Sequence, residues 1–275
     1  MASPELETIE VELLLEGVQR HYGLDLRGYC RPTLLRRLRR LRRLVSDEGL
    51  GSLSALQALV LHEPPALERL QRAVSGRRVP LFDDPEFLLT FRRKVVPLLR
   101  THPTVRAWVA GCGAGEPAWS LAMLLEEEGL LGRSKIYATD ASDTLLETAR
   151  SGALPALTDA DGARWKRAGG DGDLSRHIAM NGSAGVKPQL KAAVFFAQHN
   201  LATDGAFNEF NVVLCRNVLL SFNRSLHNRV HGRLHDSLGR FGILGLGRKE
   251  SLARTPHSGE YEELEGGGRL YRRLS

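Results

Sequence analysis

The sequence predicts an α/β fold: a mostly parallel sheet with crossover helices, preceded by an all-helical module. Three observations carry this. From residue 104 onward, short apolar runs alternate with helical stretches, the pattern of strands joined by crossovers. Before residue 76, leucines recur at helical spacing. A glycine-rich turn stands directly between the first apolar run and the helix after it.

The elements follow in order. Leu13, Leu14 and Val18 predict the stripe of a first helix, and Leu34, Leu38, Leu41 and Val45 that of a second. Thr33 is the expected cap of the second, with Pro32 holding the approach extended. Ser52–Leu61 reads as a third helix ended by Pro64-Pro65, and Leu67–Val74 as a short fourth. Residues 1–76 thus form a helical domain, residues 77–103 a connector with a helix from about Pro85, and residues 104–275 the α/β domain. Strands are expected at 105–109, 135–139, 192–196, 211–215 and 242–246, with helices at 118–128, 143–150 and 226–238. Residues 156–195 interrupt the alternation and read as an insertion.

Composition bounds the function classes. Of 275 residues, 42% are hydrophobic and 25% charged, enough apolar material for a core. Cys30, Cys112 and Cys215 lie far apart with no C-x-x-C pair, which argues against a disulfide framework or a zinc-ribbon site and fits a reducing cytoplasm. The acidic start lacks the pattern of a signal peptide, and no apolar run approaches the roughly 18 residues that span a bilayer. The net charge of +6 is concentrated between Arg27 and Arg43, which suggests an acidic partner. A nucleic-acid partner is disfavoured, because aromatic residues make up only 6% and no N-P-P-Y-type motif is present.

The chemistry concentrates at strand ends. Ala110-Gly-Cys-Gly-Ala-Gly-Glu116 lets backbone approach a ligand closely, and by itself suits a dinucleotide, S-adenosylmethionine (SAM) or a tight turn. The next strand ends in Ala138-Thr139-Asp140, where a carboxylate accepts from both ribose hydroxyls of an adenosine. His199-Asn200-Leu201 and Cys215-Arg216-Asn217-Val218-Leu219 follow two further strands. All four lie where open α/β sheets bind ligands. Cys112, Cys215 and His199 read as packing residues, and Trp119 as support beneath the loop.

Together these segments resemble the CheR family of SAM-dependent chemoreceptor methyltransferases. The family's AGCSTGEEPYSLAM appears as AGCGAGEPAWSLAM over Ala110–Met123, and its LCRNVLIYF as LCRNVLLSF over Leu214–Phe222. The A-T-D strand end and the N-L pair recur at Ala138–Asp140 and Asn200–Leu201, and the L-x-L-G-x-x-E-S-L ending at Leu244–Leu252. An arginine-rich Y-x-x-x-T-L-x-R-R-L-x-R-R segment corresponds to Tyr29–Arg40 with a one-residue adjustment. The resemblance implies a Rossmann-like SAM-dependent methyltransferase domain, an N-terminal all-α domain and a small inserted β-subdomain. It implies methyl transfer to glutamate side chains of a chemoreceptor-like protein by a cytoplasmic monomer. Gly111, Gly113, Gly115, Glu116, Asp140, Asn200, Leu201, Arg216 and Asn217 would line the SAM side, Arg216 more as an organiser of loops. Arg36, Arg37, Arg39, Arg40 and Arg43 would face an acidic receptor surface.

The acceptor side departs from the pattern. The family's N-x-T-x-F-F-R-D aligns with Arg77–Asp84, so Arg77 replaces Asn, Val79 replaces Thr and Asp83 replaces Arg. Ser221 stands where the family has Tyr, and Gly113-Ala114, Pro117 and Asn211 are further changes. An aspartate at 83 repels a carboxylate substrate and cannot pair with the SAM carboxylate as the family's arginine would, and compensation would have to come from Arg77 or Arg78. The alternative expectation is a CheR-like protein that binds a partner, and SAM or S-adenosylhomocysteine, without transfer.

Overall fold

The computed structural model describes residues 3–45, 50–75, 79–171, 173–181, 183–207, 209–266 and 268–274. They fall into two compact units, residues 1–77 with 220–229, and residues 78–219 with 230–275.

The helical unit holds α1 (Pro4–Tyr22), α2 (Arg31–Leu44), α3 (Leu53–His62) and α4 (Pro64–Ser75). Ser3 caps α1 by accepting from the Leu6 N–H at 3.2 Å, and Gly23, at φ 70°, closes it. The buried stripe of α1 is Val11, Leu14, Leu15 and Val18, while Leu13 is exposed. Taking Leu13 as core was a phase error of one residue, and 100° of rotation moves it to solvent. Helix α2 starts at Arg31, not after a Thr33 cap: Pro32 sits in the first turn, where its fixed φ is pre-organised and its missing N–H costs nothing. Leu34, Leu38 and Leu41 are buried, each contributing about 1.5–3 kcal/mol. Pro64 begins α4 for the same reason and does not only end α3. The Glu10 carboxylate joins α1 to α3 by accepting from the Ser54 N–H (3.1 Å) and hydroxyl (2.8 Å). Residues 220–229 complete this unit: the Cys30 N–H donates to the Ser221 carbonyl and the Asn223 N–H to the Gly28 carbonyl, each at 2.8 Å.

The α/β unit begins earlier than residue 104. Helices α5 (Pro85–Lys94) and α6 (Val96–Leu99) bury Phe87, Leu88, Phe91, Val95, Val96 and Leu99 in its core, so the expected connector belongs to it from residue 79 on. Then follow β1 (Val105–Ala110), α7 (Glu116–Glu127), β2 (Ser134–Asp140), α8 (Asp143–Ser151) and α9 (Asp159–Arg167). The insertion carries a hairpin of β3 (Ile178–Asn181) and β4 (Ser183–Val186), then α10 (Pro188–Ala193). Next come β5 (Val194–Gln198), β6 (Phe210–Cys215), α11 (Arg224–Asp236), β7 (Leu238–Leu246), β8 (Tyr261–Glu263) and β9 (Leu270–Arg273).

The main sheet runs β5-β2-β1-β6-β7-β9-β8, with β5 to β7 parallel and β9 and β8 antiparallel. The chain leaves β1 toward β2 and β5, then returns to β6 on the other side of β1. That reversal opens a crevice at the C-terminal ends of β1 and β6, the switch point at which such sheets bind ligands. No helix among the described residues is long and apolar enough to cross a membrane.

Candidate functional site

Sheet register brings the strand-end motifs to one edge. Ala110 pairs with Thr139, Asp140 with Gln198, and Val109 with Leu214. The turns after β1, β2, β5 and β6 therefore emerge side by side. The turn after β1 is pinned to β2, because the Gly111 and Cys112 N–H groups both donate to the Thr139 carbonyl (2.8 and 2.9 Å). The His199 N–H donates to the Asp140 carbonyl at 3.1 Å, which holds the turn after β5 against β2.

The three glycines of this turn have different reasons to be glycine. Gly111 has φ 71°, and a Cβ there would press into the Val218 methyls. Gly115, at φ 100°, caps α7, and its Cβ would meet Ala149 and Trp119 at 2.9 Å. Gly113 has φ 57° but nothing within 4 Å of its Cβ position. Packing forbids a side chain at the outer two, whereas the middle one borders open space. That is what close approach of a ligand to backbone requires.

Asp140 lies beside this opening. Its Oδ2 accepts from the Gly113 N–H at 2.9 Å and its Oδ1 from the Ser142 N–H at 3.0 Å. Burial pushes its carboxyl above the usual range, against the downward pull of the backbone donors at Ser142 and Gly113. Each oxygen keeps a lone pair for a further donor, so the carboxylate can accept from a pair of vicinal hydroxyls. Glu116 is buried in the first turn of α7. Burial, and next the Asp140 charge, push the Cys112 thiol well up; burial does the same to Cys215. Neither is a nucleophile in this setting.

The remaining residues of the expected set are engaged differently. Asn200 Oδ1 accepts from the Ala202 N–H at 2.9 Å, an Asx turn, and Leu201 is buried with its carbonyl taken by Arg233. Arg216 is directed to the segment before α5. It pairs with Asp84 at 2.6 Å, donates to the Asp83 carbonyl at 3.4 Å, and lies 3.9 Å over the Phe87 ring. Burial draws its guanidinium below its ordinary range, opposed by Asp84 and Asp83. Asn217 sits at φ 63°, with its N–H held by Glu250 at 2.8 Å. Among the described residues, Phe82 and Asp84 also adopt positive φ, so three strained non-glycine residues flank this edge. Such strain clusters at functional sites.

Sequence reasoning missed Glu250. Buried, it accepts from three backbone N–H groups: Asn217 at 2.8 Å, Leu219 at 2.7 Å and Gly247 at 2.7 Å. It is the acceptor that shapes the turn after β6. The available signal was the question of where that turn's N–H groups find partners. Ser120 was missed as well: it donates to the Glu116 carbonyl (2.7 Å) and accepts from the Phe82 N–H (2.9 Å), so it ties the segment before α5 to α7.

On the acceptor side, Arg77 and Arg78 lie outside the described residues. In the helical unit, the Ser221 hydroxyl accepts from Arg37 Nη2 at 3.1 Å. Of the basic residues of α2, Arg37 is half-buried and also donates to the Val74 carbonyl. Arg39 pairs with Glu7 at 2.7 Å, while Arg36, Arg40 and Arg43 are exposed.

A glycine turn at the switch point, joined by hydrogen bond to a buried strand-end aspartate, defines an adenosine-cofactor α/β protein of the methyltransferase type. The chain belongs to the CheR methyltransferase family. The family model described as "CheR methyltransferase, SAM binding domain" matches residues 80–265, and "CheR methyltransferase, all-alpha domain" matches residues 9–75. The chain is 38% identical to the Pseudomonas putida protein named "Putative methyltransferase Cher3", over 99% of this chain and 100% of that one. It is 30% identical to "Chemotaxis protein methyltransferase Cher2" of the same species and 29% identical to "Chemotaxis protein methyltransferase 1" of Pseudomonas aeruginosa. Each of those alignments covers 79% of this chain and 82% of the relative. SAM is accordingly the cofactor, and the open face at Gly113 beside the Asp140 carboxylate fits it.

Proposed function

We propose that this chain methylates the side-chain carboxylate of glutamates on a chemoreceptor-like protein in the cytoplasm. The observation that carries the reading is the Gly113–Asp140 cradle with its open face. SAM, when bound, would supply the methyl group: the acceptor carboxylate oxygen forms the new O–CH3 bond as the S–CH3 bond breaks, and the electron pair stays on sulfur in S-adenosylhomocysteine. Asp140 would accept from the ribose hydroxyls, and the backbone at Gly113 would allow the cofactor to approach. Glu250 and Arg216 hold the neighbouring turns in place. The acceptor carboxylate is ionised at pH 7, so no general base is needed. Orientation is the chain's main contribution. Arg36, Arg40 and Arg43 offer an exposed basic face to an acidic partner surface, and the protein acts as a monomer. The test is transfer of labelled methyl from SAM to receptor fragments of the same genome. Absence of transfer to every receptor, by protein that binds SAM, overturns the reading.

Asp83 and Ser221 favour a second reading, a CheR-like protein that binds SAM or its product together with a partner and transfers nothing. Under that reading the unmodified protein is silent, and Asp83→Arg combined with Ser221→Tyr creates activity.

A further inference from the structure

At the end of the sheet away from the glycine turn, two histidines and a glutamate converge. His235, one residue from the end of α11, is buried, and its Nε2 is 3.2 Å from Glu260 Oε2. His257 Nδ1 is 2.8 Å from Glu260 Oε1. The two imidazoles lie nearly parallel, centroids 4.4 Å apart, and the donor atoms of all three residues fall within 4.8 Å of one another. Around a tetrahedral zinc, with ligand bonds of roughly 2.0–2.1 Å, donor atoms sit roughly 3.3 Å apart. Both nitrogen–oxygen distances fall short of that separation, so small outward side-chain rotations suffice to admit an ion.

We propose that His235, His257 and Glu260 form a divalent transition-metal site of zinc type, with a solvent molecule as the fourth ligand. Two imidazoles and one carboxylate select zinc-like ions over magnesium or calcium, which prefer all-oxygen shells. A partner for the far nitrogen of His235 is in place: Tyr261 Oη lies 3.1 Å from His235 Nδ1. A phenol oxygen accepting Nδ1–H leaves the Nε2 lone pair directed at the site. Arg273 donates to the His235 and Leu238 carbonyls and so fixes the end of the helix that carries His235. His257 and Glu260 are half-exposed, which gives an ion a way in.

The role is structural. His235 stands just before Leu238, where β7 begins, and Tyr261 pairs with Arg273 at the far end of β9. A shared ion ties the end of α11 to the short β8–β9 hairpin at the sheet's edge.

The test uses untagged full-length protein, stripped with chelator and titrated with ZnCl2 against a chromophoric competitor. One equivalent binds, Glu260→Gln and His257→Ala each weaken binding at least about tenfold, and zinc raises the thermal midpoint of the unmodified chain only. CoCl2 gives visible d–d bands without a thiolate charge-transfer band. SAM affinity stays the same in both variants. The proposal is overturned by absence of stoichiometric zinc binding, by binding that both variants retain, or by a thiolate–cobalt band that Cys30→Ser removes.

Discussion

Replacing Glu250 by glutamine tests how the turn after β6 is held. Its Oε2 accepts two N–H groups, from Asn217 and Gly247, and its Oε1 accepts one, from Leu219. A carboxamide has one acceptor oxygen. Placed toward the pair, it leaves its NH2 against the Leu219 N–H, donor facing donor. The loss is one charge-assisted hydrogen bond together with a buried unsatisfied donor, about 2–4 kcal/mol. For a unit of this size that lowers the midpoint by about 5–15 °C. The chain's three tryptophans, Trp108, Trp119 and Trp165, all lie in the α/β unit, so intrinsic fluorescence reports that unit alone. Glu250→Gln should move the fluorescence transition by this amount and leave the helical unit's far-UV signal to melt where it did. A shift under about 2 °C would refute the account of Glu250 as the clamp of this turn.

Four further sets of substitutions follow. Gly111→Ala lowers stability by at least about 2 kcal/mol, through its positive φ and the Val218 methyls, whereas Gly113→Ala costs about 1 kcal/mol and chiefly weakens SAM binding; denaturation and calorimetry separate the two. Asp140→Asn weakens SAM binding about 10–100-fold by calorimetric titration. Because burial raises the folded pKa of Asp140 above its unfolded value, its stability contribution falls as pH rises through that window, while SAM affinity, which needs the anion, falls as pH drops through it; the Asn variant loses both dependences. Arg37→Ala destabilises the helical unit by about 1–3 kcal/mol, and the exposed Arg36, Arg40 and Arg43 changed to Glu leave stability alone but weaken salt-sensitive binding to an acidic partner. Asp83→Arg folds with a loss of no more than about 1–2 kcal/mol and tightens SAM binding, read by the same two measurements.

The parallel strands were legible because burial on both faces writes them as apolar runs, as in Val105–Ala110 and Phe210–Cys215. Strands β8 and β9 were not. They are three and four residues long and carry Glu262, Glu263, Arg272 and Arg273, and they exist through pairing such as Ile243 with Arg272. Strand β5 was expected two residues early, since Ala192 and Ala193 suit a helix end as well as a strand start. At the site, the glycine turn and Asp140 were legible from order and spacing. The partners of Arg216, Asn217 and Asn200 were not, because the same residue types serve a ligand or a neighbouring turn. Only geometry assigns Arg216 to Asp84 and Glu250 to three amides.

Those assignments decide how to read the departures near residue 83. The segment before α5 is strained at Phe82 and Asp84, roughly 1–2 kcal/mol each. Burial of Phe82 against Trp165, the Ser120 hydroxyl on its N–H and the Arg216–Asp84 pair offset that strain. None of these contacts uses the Asp83 side chain; only its carbonyl takes part. The loop's shape is therefore fixed by residues on either side of position 83, and position 83 is free to change the charge it presents. Asp83 gives Arg216 a weaker stabilisation than Asp84 does, so reversing its sign strips Arg216 of the lesser carboxylate and keeps the hydrogen-bonded one. A loop built this way separates scaffold from chemistry. Reversal at 83 that unfolded the unit would mean that the side chain is scaffold after all. A folded variant with unchanged SAM affinity would mean that position 83 does not reach the cofactor's carboxylate.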